Sequence, residues 1–341
     1  MWGSDRKLGH ISSAVEQQLN SNCCHELNLY SKLLDSALIS GDAPYAPWRY
    51  RYVCLGIFLC LTLIGWGGWV TSIDAGLAVP DWPTSFGSLD PIATGFEDPA
   101  NPESAWWMHA PVLAEHGHRL LGAVVGLWAM GLFLWVLVAE RRRGVRLLAA
   151  GVLMLVILQG VLGGLRVIRV SLDLAVLHAL GAQLFFASVM AMAVVSSAGW
   201  VRALKPLDVP QALKRLSIVT ALALFVQILL GALLRHPGDG VHLGFILTHA
   251  AGSVAVLVLI FMLCGRLRRH GMLVRWAWGM MGGVALQMIL GIMALVVLVY
   301  EESVGARSVW QISLNLAHLV TGTLLMGGAA GTALQLMRRR K

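Results

Sequence analysis

Eight apolar runs, each long enough to cross a lipid bilayer, restrict the fold more than any other feature of the sequence. A spanning helix needs about 20 residues, and its backbone groups must bond to one another because lipid offers them no partners. Composition agrees, since 57% of the 341 residues are hydrophobic and 13% are charged. We therefore predict an all-α polytopic membrane protein. The predicted spans are Val53–Ser72, Pro111–Ala139, Leu147–Leu165, Leu174–Ala198, Leu216–Leu234, Leu243–Cys264, Trp276–Tyr300 and Trp310–Met337.

The positions of the basic residues predict how these spans are oriented. All but five of the 26 lysines and arginines fall on the side that holds both termini. Cytoplasmic loops carry the excess of positive charge, so both termini are predicted to be cytoplasmic, in a bacterial-type plasma membrane. The net charge of +8 thus indicates orientation and not nucleic-acid binding. The basic residues on the other side are Arg119, Arg166, Arg169, Arg235 and Arg307.

Two polar segments lie outside the spans. Residues 1–47 lack the apolar core of a signal peptide and are too acidic for a transit peptide, which favours a cytoplasmic tail. The longest outer connection, 73–110, contains no lysine or arginine and holds Trp82, Trp106 and Trp107. It is interpreted either as a structured loop that caps a site or as an interfacial loop that only anchors the protein.

A helical hairpin recurs about four times along the chain. Three odd-numbered spans carry Gln-x-x-x-Gly near their outer ends, and a histidine-bearing span follows each of them. Duplicated modules of this kind stack on one another, and two hairpins make a four-helix bundle. We predict two pseudo-repeated halves, residues 48–200 and 201–341. The motifs are Gln159–Gly163, Gln227–Gly231 and Gln287–Gly291, and the first span has Gly65–Trp69 instead.

Each even-numbered span carries a histidine at a similar depth, with a glycine three or four residues later. One such histidine would be interpreted as hydrogen-bonded between helices, but four at equivalent positions favour axial ligands of two haems. His118 would pair with His178, and His249 with His318. The glycines are expected to let each porphyrin lie against the backbone.

Charge beside the histidine distinguishes the first half from the second. Glu115, His118 and Arg119 share one helix face, and a glutamate at this depth must be paired or neutral. Either Glu115 forms an ion pair with Arg119, or Arg119 contacts a haem propionate, or Glu115 moves protons at a reactive haem. No acid lies near His249 or His318. One reactive and one electron-transferring site are therefore predicted.

With these motifs the sequence resembles the haem A synthase family. The resemblance rests on Glu-x-x-His-Arg at Glu115–Arg119, on Gly76–Pro83 with Gly87, and on the later histidines. It covers the chain from about residue 50 onward. It implies oxidation of the C8 methyl group of haem O to a formyl group through hydroxylated intermediates, which gives haem A for cytochrome c oxidase.

The resemblance also implies residue roles and partners. His118 and His178 would flank the substrate haem in the N-terminal half, and Glu115 would be the essential carboxylate. His249 and His318 would hold a permanent haem b. A haem O synthase and an electron donor are the implied partners, and association into oligomers is compatible with the family.

The chain departs from the family at Val79, where many bacterial relatives carry a cysteine. Two other functions explain the same histidines. One is a di-haem membrane cytochrome that only transfers electrons. The other is a transporter or oxidase-assembly protein without redox chemistry.

Overall fold

The computed structural model describes residues 45–92, 94–202, 209–236, 243–302 and 308–338. Within these ranges, eight helices are long and apolar enough to cross a membrane. The predicted all-α polytopic class is confirmed. Most of the predicted N-terminal tail lies outside the described residues.

The eight long helices extend beyond several of the predicted apolar runs. The first begins at Pro47, six residues before the predicted start, because proline suits the first helical turn and Arg49 and Arg51 continue the helix. Ser171 and Ser308 cap two later helices by accepting a backbone hydrogen bond. The helices are α1 Pro47–Ser72, α2 Ala110–Ala139, α3 Arg143–Arg169, α4 Leu172–Ser196, α5 Gln211–Arg235, α6 Leu243–Arg269, α7 Val274–Glu302 and α8 Val309–Met337.

The helices pack in two sets of four. In each set every helix contacts the next one along the chain, and the first helix contacts the fourth. The sets are α1–α4, the N-terminal half, and α5–α8, the C-terminal half. They meet where α8 packs against α1 and α4 and where α4 packs against α5. The repetition of one half by the other, and the boundaries at residues 48–200 and 201–341, stay predictions.

The two ends of the molecule differ in charge. We call the end that carries residues 73–109 the loop end and the opposite end the arginine-rich end. The four histidines lie in the loop-end parts of α2, α4, α6 and α8. Apolar side chains fill each half behind them, with Leu132 and Phe186 fully buried in one half and Ile260 and Leu336 in the other.

A buried ionic cluster closes the arginine-rich end of the N-terminal half. Glu140, which has no exposed surface, forms 2.8 Å ion pairs with Arg49 and with Arg142. Arg142 also donates to the Val195 carbonyl at 3.0 Å. Burial acts to raise the pKa of Glu140, but hydrogen bonds from Arg142 and both positive charges outweigh it, so this pKa lies below its ordinary value. The cluster ties α1, the α2–α3 turn and α4 together.

Candidate functional site

The structure brings the four predicted histidines together in the predicted pairs. The ring centres of His118 and His178 lie 6.4 Å apart, with 75° between the ring planes. Those of His249 and His318 also lie 6.4 Å apart, with an angle of 60°. Each half thus contains one pair of facing imidazoles, contributed by its second and fourth helices.

These separations fit a shared metal ion. Two imidazoles that bind one ion from opposite sides place their nitrogens about 2 Å from it and their ring centres about 6 Å apart. Nδ1 of His118, His178 and His318 is buried and has no hydrogen-bond partner within the described part of the chain. Histidine is an established axial ligand of haem iron. The residues of both pairs therefore fit a haem iron.

Each histidine ring rests on a glycine of the preceding helix. A Cβ added to Gly67 or Gly291 would lie 2.9 Å or 3.0 Å from Cε1 of His118 or His318. At Gly163 and Gly231 the corresponding distances to His178 and His249 are 3.4 Å and 3.1 Å. A side chain at Gly67 would force the ring to shift, and one at Gly291 or Gly231 would crowd it, whereas the distance at Gly163 is that of an ordinary contact. The glycine of each Gln-x-x-x-Gly motif thus forms the surface on which the ring of the following histidine packs.

Three of the four glycines that follow the histidines lie against glutamine side chains. A Cβ at Gly181 or Gly252 would overlap the amide group of Gln159 or Gln227, and one at Gly322 would lie 3.1 Å from the amide nitrogen of Gln287. Glutamine side chains therefore occupy the space directly beside these three glycines, and the expectation that the glycines leave room for a porphyrin stays a prediction. In the part of the chain that the structure describes, nothing lies within 4 Å of a Cβ added to Gly122. For this fourth glycine, α1 has Leu63 in place of the glutamine.

The glutamines hold the histidines of the C-terminal half only. The Gln227 amide nitrogen lies 3.1 Å from Nδ1 of His249, and the Gln287 amide nitrogen lies 3.1 Å from Nε2 of His318. The Gln159 amide, near His178, is buried and has no hydrogen-bond partner among the described residues. One nitrogen of each C-terminal imidazole therefore contacts a glutamine amide. Its other nitrogen can bind a metal only in the tautomer in which the contacting nitrogen carries the ring proton.

Glu115 and Arg119 hold the loop against the N-terminal pair. The buried Glu115 accepts a 2.8 Å hydrogen bond from Arg119 through Oε1 and a 2.9 Å bond from the Val79 N–H through Oε2. Arg119 also donates to the carbonyls of Val79, Asp81 and Thr84 at 2.6–3.0 Å. The ion pair considered from the sequence is thus present, and Arg119 supports the loop. Its predicted contact with a haem propionate stays a prediction.

Further contacts order the loop over this site. Asp81 accepts hydrogen bonds from the backbone of Phe86 and Gly87 at 2.7 Å and 2.8 Å. Burial acts to raise the pKa of Asp81, but these bonds and one from Thr84 lower it on balance. Trp82 packs directly on Gly164 of α3, next to Gly163, which contacts the ring of His178. These contacts favour the capping interpretation of residues 73–110.

The neighbouring His116 faces the loop and not the histidine pair. Its Nδ1 lies 2.9 Å from the Ser85 hydroxyl, and its Nε2 lies 3.1 Å from the Pro91 carbonyl. Both ring nitrogens are therefore used by the loop, which leaves His116 no part in the histidine pair.

Arg166 and Arg235 lie near the histidine pairs. The sequence analysis identified them only as basic residues at span ends. Arg166 of α3 packs on the backbone of Gly76 in the loop, and its charge acts on both His118 and His178. Arg235 of α5 crosses between the halves and donates to the Gly68 carbonyl at 2.7 Å and to the Ser72 hydroxyl at 2.6 Å. The signal that could have found them was an arginine three or four residues after the glycine of the Gln-x-x-x-Gly motif.

Fold and site together define a multi-pass membrane protein with a pair of facing histidines in each half. A family model described as cytochrome oxidase assembly protein, COX15-CtaA, matches residues 50–249, which is more than half of the chain. The chain belongs to this family. The match begins three residues into α1, covers the rest of the N-terminal half and ends at His249, so that His318 lies beyond it.

A curated relative supports the same family. The haem A synthase of Symbiobacterium thermophilum is 31% identical to the chain over 186 residues. The alignment covers 52% of this chain and 56% of the relative, so the chain spans about half the length of the relative it matches. The resemblance to the haem A synthase family that the motifs indicated is confirmed.

Proposed function

We propose that this protein is a haem A synthase, an oxidoreductase that converts the C8 methyl group of haem O to a formyl group. The haem A product would serve cytochrome c oxidase. Membership of the family supports the proposal, as does the relative named haem A synthase. The proposed setting is a bacterial-type plasma membrane with both termini in the cytoplasm.

The proposal that the two halves have different roles, one binding the substrate haem and one a permanent haem, rests on one observation. Glutamine side chains contact a ring nitrogen of His249 and of His318, whereas within the described ranges no glutamine side chain contacts a ring nitrogen of His118 or His178. A fixed imidazole suits a permanently bound metal centre, because hydrogen bonding of the second nitrogen orients the ligand. Imidazoles that are less constrained suit a site that must take up one haem and release another.

The residues of the N-terminal half then have distinct tasks. His118 and His178 bind the iron of the substrate haem O, which α2 and α4 hold between them. The loop covers this site through Glu115, Arg119 and Trp82, and it keeps water away from the porphyrin. Conversion of a methyl to a formyl group removes four electrons and adds one oxygen atom, so the reaction needs an external electron acceptor or oxidant and a source of oxygen. Haem b held by His249 and His318 would pass electrons one at a time between the substrate site and that external partner.

Glu115 is proposed as the carboxylate that receives a proton during oxidation of the methyl group. It lies one helical turn before His118, on the same face. Its charge also acts on Arg166, which places it among the charged groups of the N-terminal site. Moving a proton would require Glu115 to exchange one of its present hydrogen bonds.

The hydrogen bonds of the Glu115 carboxylate also favour a second candidate function. Both oxygens of Glu115 are occupied, one by Arg119 and one by Val79. A purely structural Glu115 would suit a di-haem cytochrome that only transfers electrons.

Haem extraction distinguishes the two functions. Co-expression of the chain with a source of haem O is expected to yield hydroxylated and formylated haems, separable by chromatography and mass spectrometry. His118→Ala should abolish these products while the haem of the C-terminal half remains visible in the absorption spectrum. Recovery of only haem B and unchanged haem O from folded wild-type protein would leave the electron-transfer function.

The glutamine contacts predict how tightly the C-terminal half retains haem. Gln227→Leu and Gln287→Leu should each speed haem loss to excess apomyoglobin by about 10-fold or more, the usual effect of removing a hydrogen bond to a metal ligand. Leucine is a suitable replacement because α1 has Leu63 at the corresponding position.

Gln159→Leu is the matched control for these variants. The Gln159 amide makes no hydrogen bond within the described residues, so this change should leave haem loss from the C-terminal half as in the wild type. Equal effects of all three substitutions would contradict the role given to the amides.

A further inference from the structure

We propose that Arg166 binds a carboxylate side chain of the porphyrin substrate at the His118–His178 pair. The inference rests on the proposed function, because it concerns the orientation of the substrate of that site. Haem carries two propionate groups on one edge, and a cation near that edge would decide which edge enters the site first.

Partners and burial together single out Arg166 among the arginines described at the loop end, because Arg169, which also has no hydrogen-bond or ion-pair partner in the described ranges, is exposed. Arg119 donates to four oxygen atoms of Glu115 and the loop, and Arg235 donates to Gly68 and Ser72. For Arg166 there is no hydrogen bond or ion pair to any residue in the described ranges. Its side chain is nevertheless only partly exposed. A guanidinium with five N–H groups in such a place is a ready ligand for an anion.

Arg166 lies close enough to the histidine pair to contact an anionic group of a substrate bound there. Arg166 lies three residues after Gly163, on which the ring of His178 rests. Its guanidinium covers Gly76 of the loop, and its charge acts on both imidazoles of the N-terminal pair. It is therefore near the iron-binding position and below the loop that covers it.

The neighbouring groups do not neutralise this charge. Glu115 is the acid whose charge acts on Arg166, but its oxygens already accept from Arg119 and Val79. Burial and the positive charges of Arg166 and Arg235 lower the pKa of His236 to about 4. His236 is thus neutral near pH 7, and Arg166 remains a cation in need of a counter-charge.

A carboxylate is the counter-charge that suits a guanidinium best. The planar fork of arginine can donate two parallel hydrogen bonds to one carboxylate, and such charged bonds are stronger in a water-poor site. Binding one propionate in this way would orient the porphyrin about the His118–His178 axis, and so place its methyl groups relative to Glu115.

The test compares haem with its dimethyl ester, in which both carboxylates are masked. The purified full chain, carrying His249→Ala so that the C-terminal pair is incomplete, is titrated with each compound and followed by absorption. We expect the chain with Arg166 to bind haem about tenfold or more tightly than the ester, as a charged hydrogen bond requires. Arg166→Leu should bring this ratio close to one, and Arg166→Lys should keep part of it.

Arg169→Leu is the control, because Arg169 is an exposed arginine on the same helix and should leave the ratio unchanged. The same preference for haem in the Arg166→Leu variant overturns this proposal and leaves the proposed function intact. Failure of folded wild-type protein to bind haem at all overturns the proposed function and this proposal with it.

Discussion

Replacing Glu115 with glutamine is expected to stop oxidation of haem O while both haem sites stay filled. A positioned acid–base group typically contributes about 10²–10⁴-fold to the rate, so the products should fall by at least a hundredfold. The histidine pairs are unchanged in this variant, and the Soret absorption should therefore persist. Product haems are measured by extraction from cells that also supply haem O.

The structure shows why this variant needs a control. Glu115 holds the loop as well, because its two oxygens accept from Arg119 and from the Val79 N–H. Glutamine keeps only one acceptor oxygen, and its amide N–H groups would face one of these donors. A loop loosened in this way would admit water to the site and could lower the yield without any loss of proton transfer.

Arg119→Leu separates the two effects. It removes the ion pair and the donors to the loop carbonyls, but it leaves the carboxylate in place. Hydrogen exchange at residues 79–87 measures how far each variant loosens the loop. We expect Arg119→Leu to loosen the loop at least as much as Glu115→Gln and yet to retain more activity. Equal losses of activity with equal loosening would make Glu115 a structural residue.

The spans and the histidine pairs could be predicted because their signals are local. Hydropathy marks each helix within a window of about 20 residues. The recurrence of His118, His178, His249 and His318 on alternate helices places them at one depth. Helix ends were predicted less well, since Arg49 extends α1 beyond its apolar run.

The environment of the histidines could not be predicted, because it depends on contacts between helices. Gln159 and Gln227 occupy matching places in the sequence, yet among the described residues only the side chain of Gln227 contacts a histidine ring. The space beside Gly181 and Gly252 could not be assigned to a glutamine or to a porphyrin without the packing of α3 on α4 and α5 on α6.

Glu140 shows the same limit at the other end of the molecule. In the sequence it is one acid at the start of a run of arginines, and nothing local marks it as buried. In the structure it is fully buried between Arg49 and Arg142. The pairing of Arg49 with Glu140 joins residues distant in sequence, so no local pattern indicates it.

This buried cluster leads to the prediction with the largest effect on stability. Glu140→Gln should lower the free energy of unfolding by about 3–5 kcal/mol, the usual cost of removing one partner from a buried ion pair. Arg49 and Arg142 would be left as two buried cations without a counter-charge. Unfolding of the detergent-solubilised protein, followed by helical circular dichroism, measures the change. Arg143→Gln, at an exposed neighbouring arginine, should change the stability by less than about 0.5 kcal/mol.

Adding Arg49→Met to Glu140→Gln provides a stricter test, because it removes one of the two stranded cations. The double variant should be more stable than Glu140→Gln alone, although Arg49→Met by itself destabilises the wild type. Such non-additivity is expected only for residues that interact directly. The pKa of Glu140 is lowered in the folded protein, so its contribution is complete above the ordinary glutamate pKa of about 4.3. That contribution should disappear as the pH falls through the lowered value. Additive effects at neutral pH would show that the cluster does not hold the N-terminal half together.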